Sequence, residues 1–429
     1  MQNFKIGIFG LGFVGLTTAV GFATKFKDCN VEVVGYEIDK IKAEKLSNGI
    51  VPFFETGLDT AFKEALTNNL RITTDINKVL ESANVLIYCI GTPTKNDGNA
   101  NISHLLNALE NTINRIHKCS KTPILLIKST VPPSTTKEIF SPFIERLLMQ
   151  KGLKLGIDCI IANNPEFLRE GFAYDDFINP DRIVIGTEGN LGIETLQYLY
   201  SKFNAPLYFT NLNTAEFIKY LSNTTLSLNI SFANEMSMIA QSIGDIDIIN
   251  SFKILHTDKR FSLGTQRAGI VNYLYPGMGF GGYCLPKDTL ALYKKAQEKG
   301  YEAKMLQRIL DINNEILEFY TNKIKNEVDK NESIGILGLS FKPKSDDVRD
   351  SKSAELIKRL IQLGFNNIYA YDPVANHIFG QYYNFNIHLL DTIDNIMQQC
   401  NTIIIATAWE EFKSISHSNK KIYNLRFIE

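Results

Sequence analysis

Lys5-Ile-Gly-Ile-Phe9, then Gly10-Leu-Gly12-Phe13-Val14-Gly15, then an apolar run to Ala23 open the chain. The order is a short apolar strand, a glycine-rich turn and a helix. Glycines at this spacing let a dinucleotide pyrophosphate rest on the helix N-terminus. A second apolar strand, Val31 to Tyr36, ends at Glu37, and 37 − 15 = 22 places that acid 22 residues beyond Gly15. A carboxylate about 20 residues on, at the strand tip, hydrogen-bonds a ribose 2′-hydroxyl and repels a 2′-phosphate. The spacing therefore favours NAD over NADP. Asp39 lies close enough to compete for the same role.

The stretch Gly277-Met-Gly-Phe-Gly-Gly-Tyr-Cys-Leu-Pro-Lys-Asp288 is the other decisive segment. Its four glycines let backbone run close to a ligand, because a residue without a Cβ accepts approaches that others cannot. The loop delivers one thiol, Cys284, followed by Lys287 and Asp288. Nearby positive charge lowers a thiol's pKa, and the thiolate is the nucleophile. A surface turn with an incidental cysteine is the plainer alternative. The density of glycines, proline and opposite charges argues against it.

At 429 residues the chain has room for two or three domains, each with its own core. Hydrophobic content of 44% and charged content of 21% are ordinary globular values. Lys+Arg 45 against Asp+Glu 46 creates no basic field for nucleic acid, so an anionic ligand must meet local cations. The N-terminal apolar run is broken by glycines and followed by Lys25 and Lys27, which marks core strand and helix rather than a signal peptide. No apolar stretch approaches a membrane span. The six cysteines lack Cys-x-x-Cys spacing, so neither a disulfide framework nor a metal site is expected, and a reducing cytoplasm fits.

Strands at Val85–Ile90, Ile124–Ile127, Cys159–Ala162 and Arg182–Ile185 alternate with helical segments, the pattern of a parallel sheet wrapped by helices. From Thr214 to about Ser242 runs a long helical pattern without Gly or Pro, suited to a spine between domains. Ser333-Ile-Gly-Ile-Leu-Gly-Leu-Ser-Phe341 then repeats the opening motif, and its own second strand, Ile368–Tyr371, ends at Asp372. Here Ser340 replaces Gly12 and Pro343 replaces Gly15. Those changes block a pyrophosphate and remove a backbone donor, so this half should bind something other than the dinucleotide. Polar clusters lie between the folds. Glu166 and Glu170 would share a face if their segment were helical. Lys219 and Asn223 are four apart on the spine, and Ser129-Thr130 ends a strand.

Together these segments resemble the UDP-glucose/GDP-mannose dehydrogenase family over nearly the whole chain. The matching motifs are Gly10-x-Gly-x-x-Gly15, Gly91-Thr92-Pro93, Lys128-Ser-Thr130, Asn164-Pro-Glu-Phe-Leu-Arg-Glu-Gly171 and Glu216-x-x-Lys219. They continue in Gly279-Phe-Gly-Gly-x-Cys-x-Pro-Lys-Asp288, Phe341-Lys342, Asp347-x-Arg349 and Tyr371-Asp-Pro373. The resemblance implies an α/β protein with two Rossmann-like doubly wound domains joined by a long central helix. It also implies a homodimer, with NAD in the first domain and a UDP-sugar between the two. The boundaries it suggests are 1–205 for the NAD domain, 206–310 for the helical linker with the cysteine loop, and 311–429 for the UDP-sugar domain. The implied reaction is two successive hydride transfers that turn a sugar C6 alcohol into a carboxylate.

By the same resemblance, Gly10, Gly12, Phe13, Val14, Gly15, Glu37, Lys42, Thr92, Pro93, Thr130, Glu170 and Arg349 would contact NAD. Glu166, Phe167, Leu168, Lys219, Asn223, Arg260, Tyr275, Gly279, Phe280, Gly281, Phe341 and Lys342 would contact the substrate. Lys219 and Asn223 suit stabilisation of an alkoxide. Cys284 can add to an aldehyde, giving a thiohemiacetal that is oxidised to a thioester. Glu166 would be the base for hydrolysis, with Asp288 or Thr130 holding waters; the group that takes the first proton stays open.

Two departures stand out. The family places Asp-x-Arg some sixteen residues before the cysteine, whereas Asp258-Lys-Arg260 lies 284 − 260 = 24 before it and Arg267 lies 284 − 267 = 17 before it. Arg260 keeps the aspartate and is preferred; Arg267 is the alternative. Glu37 replaces the usual Asp. Tyr283 before the cysteine resembles the glucose-specific branch, so UDP-glucose is the expected sugar nucleotide, with UDP-N-acetylhexosamine or GDP-mannose as alternatives. A two-electron hydroxyacid dehydrogenase gives the cysteine loop no task, and a non-catalytic dinucleotide-binding module would have no reason to retain its polar residues.

Overall fold

Phe4–Phe9 forms β1 with all six residues buried, as a strand covered on both faces must be. It pairs in parallel with β2 (Val31–Tyr36), and Ile6 lies opposite Val33. The remaining strands of this sheet are β3 (Leu70–Thr73), β4 (Val85–Tyr88), β5 (Ile124–Ile127), β6 (Ile160–Asn163), β7 (Ile183–Thr187) and β8 (Leu207–Asn211). Their order is β3-β2-β1-β4-β5-β6-β7-β8. The chain reverses direction of travel between β1 and β4, and ligands bind outside the carboxyl ends of the strands at such a point. The computed structural model describes residues 4–264 and 266–427, in two units that part between Leu221 and Ser222.

One sequence expectation needs correction. The first sheet is not uniformly parallel, because β6 and β7 run antiparallel, with Asn163 opposite Gly186. The connection between them holds one short helix, Ala173–Ile178, of six residues. Such a helix spans about 9 Å, so the connection lacks the long crossover helix that usually joins parallel neighbours.

The second unit carries a two-residue hairpin, β9 (Ser262–Leu263) and β10 (Gln266–Arg267). Beyond it lies a five-stranded parallel sheet of β11 (Ile334–Leu337), β12 (Ile368–Tyr371), β13 (His388–Leu389), β14 (Thr402–Ile405) and β15 (Lys421–Asn424). Its order, β13-β12-β11-β14-β15, repeats the topology around β1. The turn after β11 is closed from within. Asp372 accepts hydrogen bonds from Leu339 N at 2.8 Å, Ser340 N at 3.0 Å, Ser340 Oγ at 3.0 Å and Trp409 Nε1 at 3.1 Å. No helix follows that turn directly, since the next one begins at Lys352.

The central helix, Leu212–Ile243, runs for 32 residues without a break. Its polar residues Glu216, Lys219, Asn223, Ser227, Ser231 and Asn234 are buried, while Phe217, Leu221, Leu228, Phe232, Ile239 and Ile243 are exposed. Among the described residues, no helix is long and apolar enough to cross a membrane.

Glu216 ties this helix to the loop after β5. Its Oε1 accepts from Thr136 N at 2.9 Å and Thr136 Oγ1 at 2.5 Å. Its Oε2 and the Oδ1 of the adjoining Asn163 are both buried without a donor. Burial pushes this carboxyl up to about 7, against the pull of Thr136, so the fold favours the proton that would satisfy both oxygens. A folded-state value above the unfolded one means this stabilisation is complete below the ordinary carboxyl range and is lost as pH rises through about 7. Glu216→Gln keeps the shape and supplies a permanent donor. It should leave stability near wild type at about pH 5 and raise it by roughly 2–3 kcal/mol at about pH 8. Chemical denaturation at the two pH values checks this; an equal effect at both would rule out the ionisation.

Candidate active site

The glycine turn after β1 is built for close approach. Gly10 has φ +83°, and a Cβ on Gly15 would lie 1.8 Å from Gly10 O. A Cβ on Gly12 would meet nothing within 4 Å, so that side of the turn is open. The helix Phe13–Lys25 starts at Gly12 with no side-chain cap, which leaves its first N–H groups to a ligand. The Phe13 ring packs tilted against Phe53 with centroids 5.3 Å apart, and Val14 packs on the core. At the tip of β2, Glu37 accepts from Leu11 N and Asp39 N, each at 3.2 Å, and pairs with Lys42 at 2.8 Å. A carboxylate has about four acceptor positions, so three donors leave capacity for a ribose hydroxyl. Asp39 caps the helix Lys40–Ser47, accepting from Ile41 N and Lys42 N. Thr92 Oγ1 donates to Thr130 O at 2.7 Å, fixing the loop that carries Pro93. These residues fit an NAD molecule.

In the same unit a buried ion pair joins Glu166 Oε1 to Lys219 Nζ at 3.0 Å. Leu168 N donates to Glu166 Oε2 at 2.7 Å. Burial pushes the Glu166 carboxyl up, but Lys219, the Leu168 N–H and Lys128 together outweigh it and hold it below the usual carboxylate range. Phe167 lies between the Arg182 guanidinium, at 4.1 Å, and the Lys219 ammonium, at 5.8 Å. Thr130 lines a small cavity with Ser129, Glu216 and Lys219. Residues 164–169 are irregular, so Glu166 and Glu170 do not share a helical face; Glu170 sits in a turn ahead of the helix Ala173–Ile178.

In the second unit Cys284 is exposed and forms the N-cap of the helix Leu285–Glu298. Lys287 and Asp288 are buried behind it and paired at 2.5 Å. Asn223, 65 positions away in sequence, donates its Nδ2 to Asp288 Oδ2 at 2.6 Å. Tyr283 lies against Lys287 at 5.6 Å and the Arg349 guanidinium at 5.0 Å, and Asp347 pairs with Arg349 at 2.6 Å. A Cβ on Gly281 would stand 2.4 Å from Asp350 O, and one on Gly282, at φ +75°, 2.7 Å from the Phe341 ring. Only glycine lets these two segments touch. Lys342 lies over the Phe341 ring at 5.2 Å.

Arg260 stands apart, exposed and folded back on Asp258 at 2.5 Å, while Arg267 is exposed on β10. Tyr275 packs near Phe252 and His256. Three residues that hold the cysteine loop escaped the sequence reading. Asn234 Oδ1 accepts from Gly277 N at 2.8 Å, Asn313 exchanges two hydrogen bonds with the Phe280 backbone, and Arg426 Nη1 donates to Gly279 O at 3.3 Å. The polar positions 219, 223, 227, 231 and 234, at helical spacing, were the signal for Asn234. Asn313 and Arg426 carry no such pattern.

Three segments match the UDP-glucose/GDP-mannose dehydrogenase family: the NAD binding domain over residues 4–204, the central domain over 213–315 and the UDP binding domain over 335–426. The UDP-glucose 6-dehydrogenase of Rickettsia bellii is 35% identical, with 98% of this chain and 92% of that one covered. That of Haloferax volcanii is 31% identical, with 96% and 93% covered. The solved structure of a UDP-glucose dehydrogenase from Pyrobaculum islandicum superposes with a TM-score of 0.90 at 30% identity, covering 100% of this chain and 95% of that one. Strand orders, an intact glycine turn and full-length similarity converge: the chain belongs to the UDP-glucose/GDP-mannose dehydrogenase family and is an NAD-dependent oxidoreductase.

Proposed function

We propose that this enzyme oxidises the C6 alcohol of UDP-glucose to the carboxylate, a four-electron reaction that uses Cys284 as a covalent nucleophile. The observation that carries this reading is the exposed thiol at a helix N-terminus, backed by the buried Lys287–Asp288 pair that Asn223 engages. A helix N-terminus favours an anionic sulfur. NAD, when bound, accepts the hydride of each oxidation. Lys219 and Asn223 are assigned to hold the C6 oxygen while its proton leaves. Cys284 Sγ then bonds to the aldehyde carbon, and the carbonyl oxygen gains a proton. Once the second oxidation has made C6 an acyl thioester, water attacks it. Glu166 takes the water's proton, and the C–S bond breaks to restore the thiol. The low-lying Glu166 carboxyl is ionised and ready to act as that base. Lys342 and Phe341 are assigned to the nucleotide, consistent with the UDP binding domain matched at 335–426.

The exposed apolar stripe of the central helix supports a homodimer. Two series, Phe217, Leu228, Ile239 and Leu221, Phe232, Ile243, recur every eleven residues (228 − 217 = 239 − 228 = 11). That repeat is close to three whole turns, so the stripe stays on one side along the entire helix. A contiguous apolar face of this kind marks an interaction surface.

Wild-type enzyme should form two NADH per UDP-glucose consumed; a ratio of one would exclude the four-electron reading. Cys284→Ser should lose roughly a thousandfold or more in turnover while binding NAD with unchanged affinity, measured by calorimetry. For the assembly, Phe232→Glu should halve the mass seen by analytical ultracentrifugation. A wild-type chain that sediments as a monomer at micromolar concentration would remove the homodimer.

A further inference from the structure

Lys128 follows β5, and its side chain is buried at 5% exposure. Its ammonium donates to Asn164 Oδ1 at 2.8 Å and lies 5.6 Å from the Phe177 ring. No carboxylate lies within ion-pair distance of it among the described residues. Burying an ammonium without such a partner is costly, so its retention calls for a compensating role. Asn164 is itself held on both ends: Oδ1 also accepts from Tyr200 OH at 2.5 Å, and Nδ2 donates to Val184 O at 2.8 Å. Two residues beyond Asn164 stands Glu166, close enough for the Lys128 charge to act on it.

We propose that Lys128 is a positioning residue for the Glu166–Lys219 pair. It anchors the Asn164-Pro165-Glu166 turn through Asn164 and supplies a buried positive charge that keeps the Glu166 carboxylate ionised. The groups that face Glu166 are Lys219 on the central helix, Lys128 after β5 and the Cys89 thiol after β4. Burial pushes Cys89 up to about 12, so it contributes no charge in the working range. Arg182 acts one layer out, on the Phe167 ring. Lys219 alone could ionise Glu166, but it is also assigned to the substrate oxygen and changes its surroundings during the reaction. Lys128 is held by Asn164 and is assigned to no reacting atom, so its charge acts from a fixed place, although burial pushes its pKa below the ordinary lysine value.

The proposal rests on Glu166 being the base, and the experiment separates the two. Turnover of the full-length enzyme is measured as NADH formation across the acidic pH range for wild type, Lys128→Gln, Lys128→Arg and Glu166→Gln. Lys128→Gln removes the charge and keeps an N–H donor on a side chain one atom shorter. Its acid limb should move up by roughly one to two pH units, with NAD affinity unchanged. Lys128→Arg keeps the charge, and its acid limb should stay with the wild type. Superimposable limbs for Lys128→Gln and wild type overturn the proposal. Should the Gln variant fail to fold, a clear upward move in Lys128→Arg overturns it, and an unmoved limb there supports it. Glu166→Gln should abolish the limb; a retained limb with wild-type turnover would instead refute Glu166 as the base.

Discussion

The central helix buries a row of polar side chains and leaves an apolar stripe exposed, and much else depends on that arrangement. A helix of ordinary amphipathicity would turn Phe217, Leu228 and Phe232 inward and offer Lys219 and Asn223 to solvent. Here Lys219 forms an ion pair with Glu166, Asn223 reaches Asp288, and Ser231 donates to Ile309 O at 2.9 Å. These buried polar groups have specific partners, which is the condition under which burial is tolerated. The apolar side chains left outside then require cover, and the proposed second copy supplies it.

Elements with strong periodicity were legible in the amino-acid sequence. The strand-glycine-helix opening, the repeat at Ser333–Phe341 and the unbroken helical pattern from Thr214 all appear in the structure. Local composition explains this, since apolar runs and glycines act over a few residues. The reversal of β7 was not legible, because it depends on how the preceding connection folds rather than on the strand's own residues. The same reasoning applies to residues 164–170, where a carboxylate pair at helical spacing lies in irregular backbone.

For the candidate site, motifs identified residues that are neighbours in the chain but not the long-range contacts that orient them. Asn313 and Arg426 hold the glycine loop from positions far along the sequence, and neither stands in a motif. Glu216 was noticed only as part of a spacing, although its unpartnered oxygen makes its protonation a property of the fold. Burial decides such behaviour, and burial is a tertiary quantity.

The turn after β11 has a further consequence. Asp372 is consumed by the backbone and side chains around it, Pro343 occupies the position that corresponds to Gly15, and no helix N-terminus faces a ligand there. The described residues therefore form one dinucleotide cradle for a reaction proposed to surrender two hydrides. The cofactor must be exchanged halfway through, while the half-oxidised sugar waits. A bond to Cys284 would then serve as a tether as well as a chemical step, keeping a reactive aldehyde from escaping during the interval in which the cradle is empty.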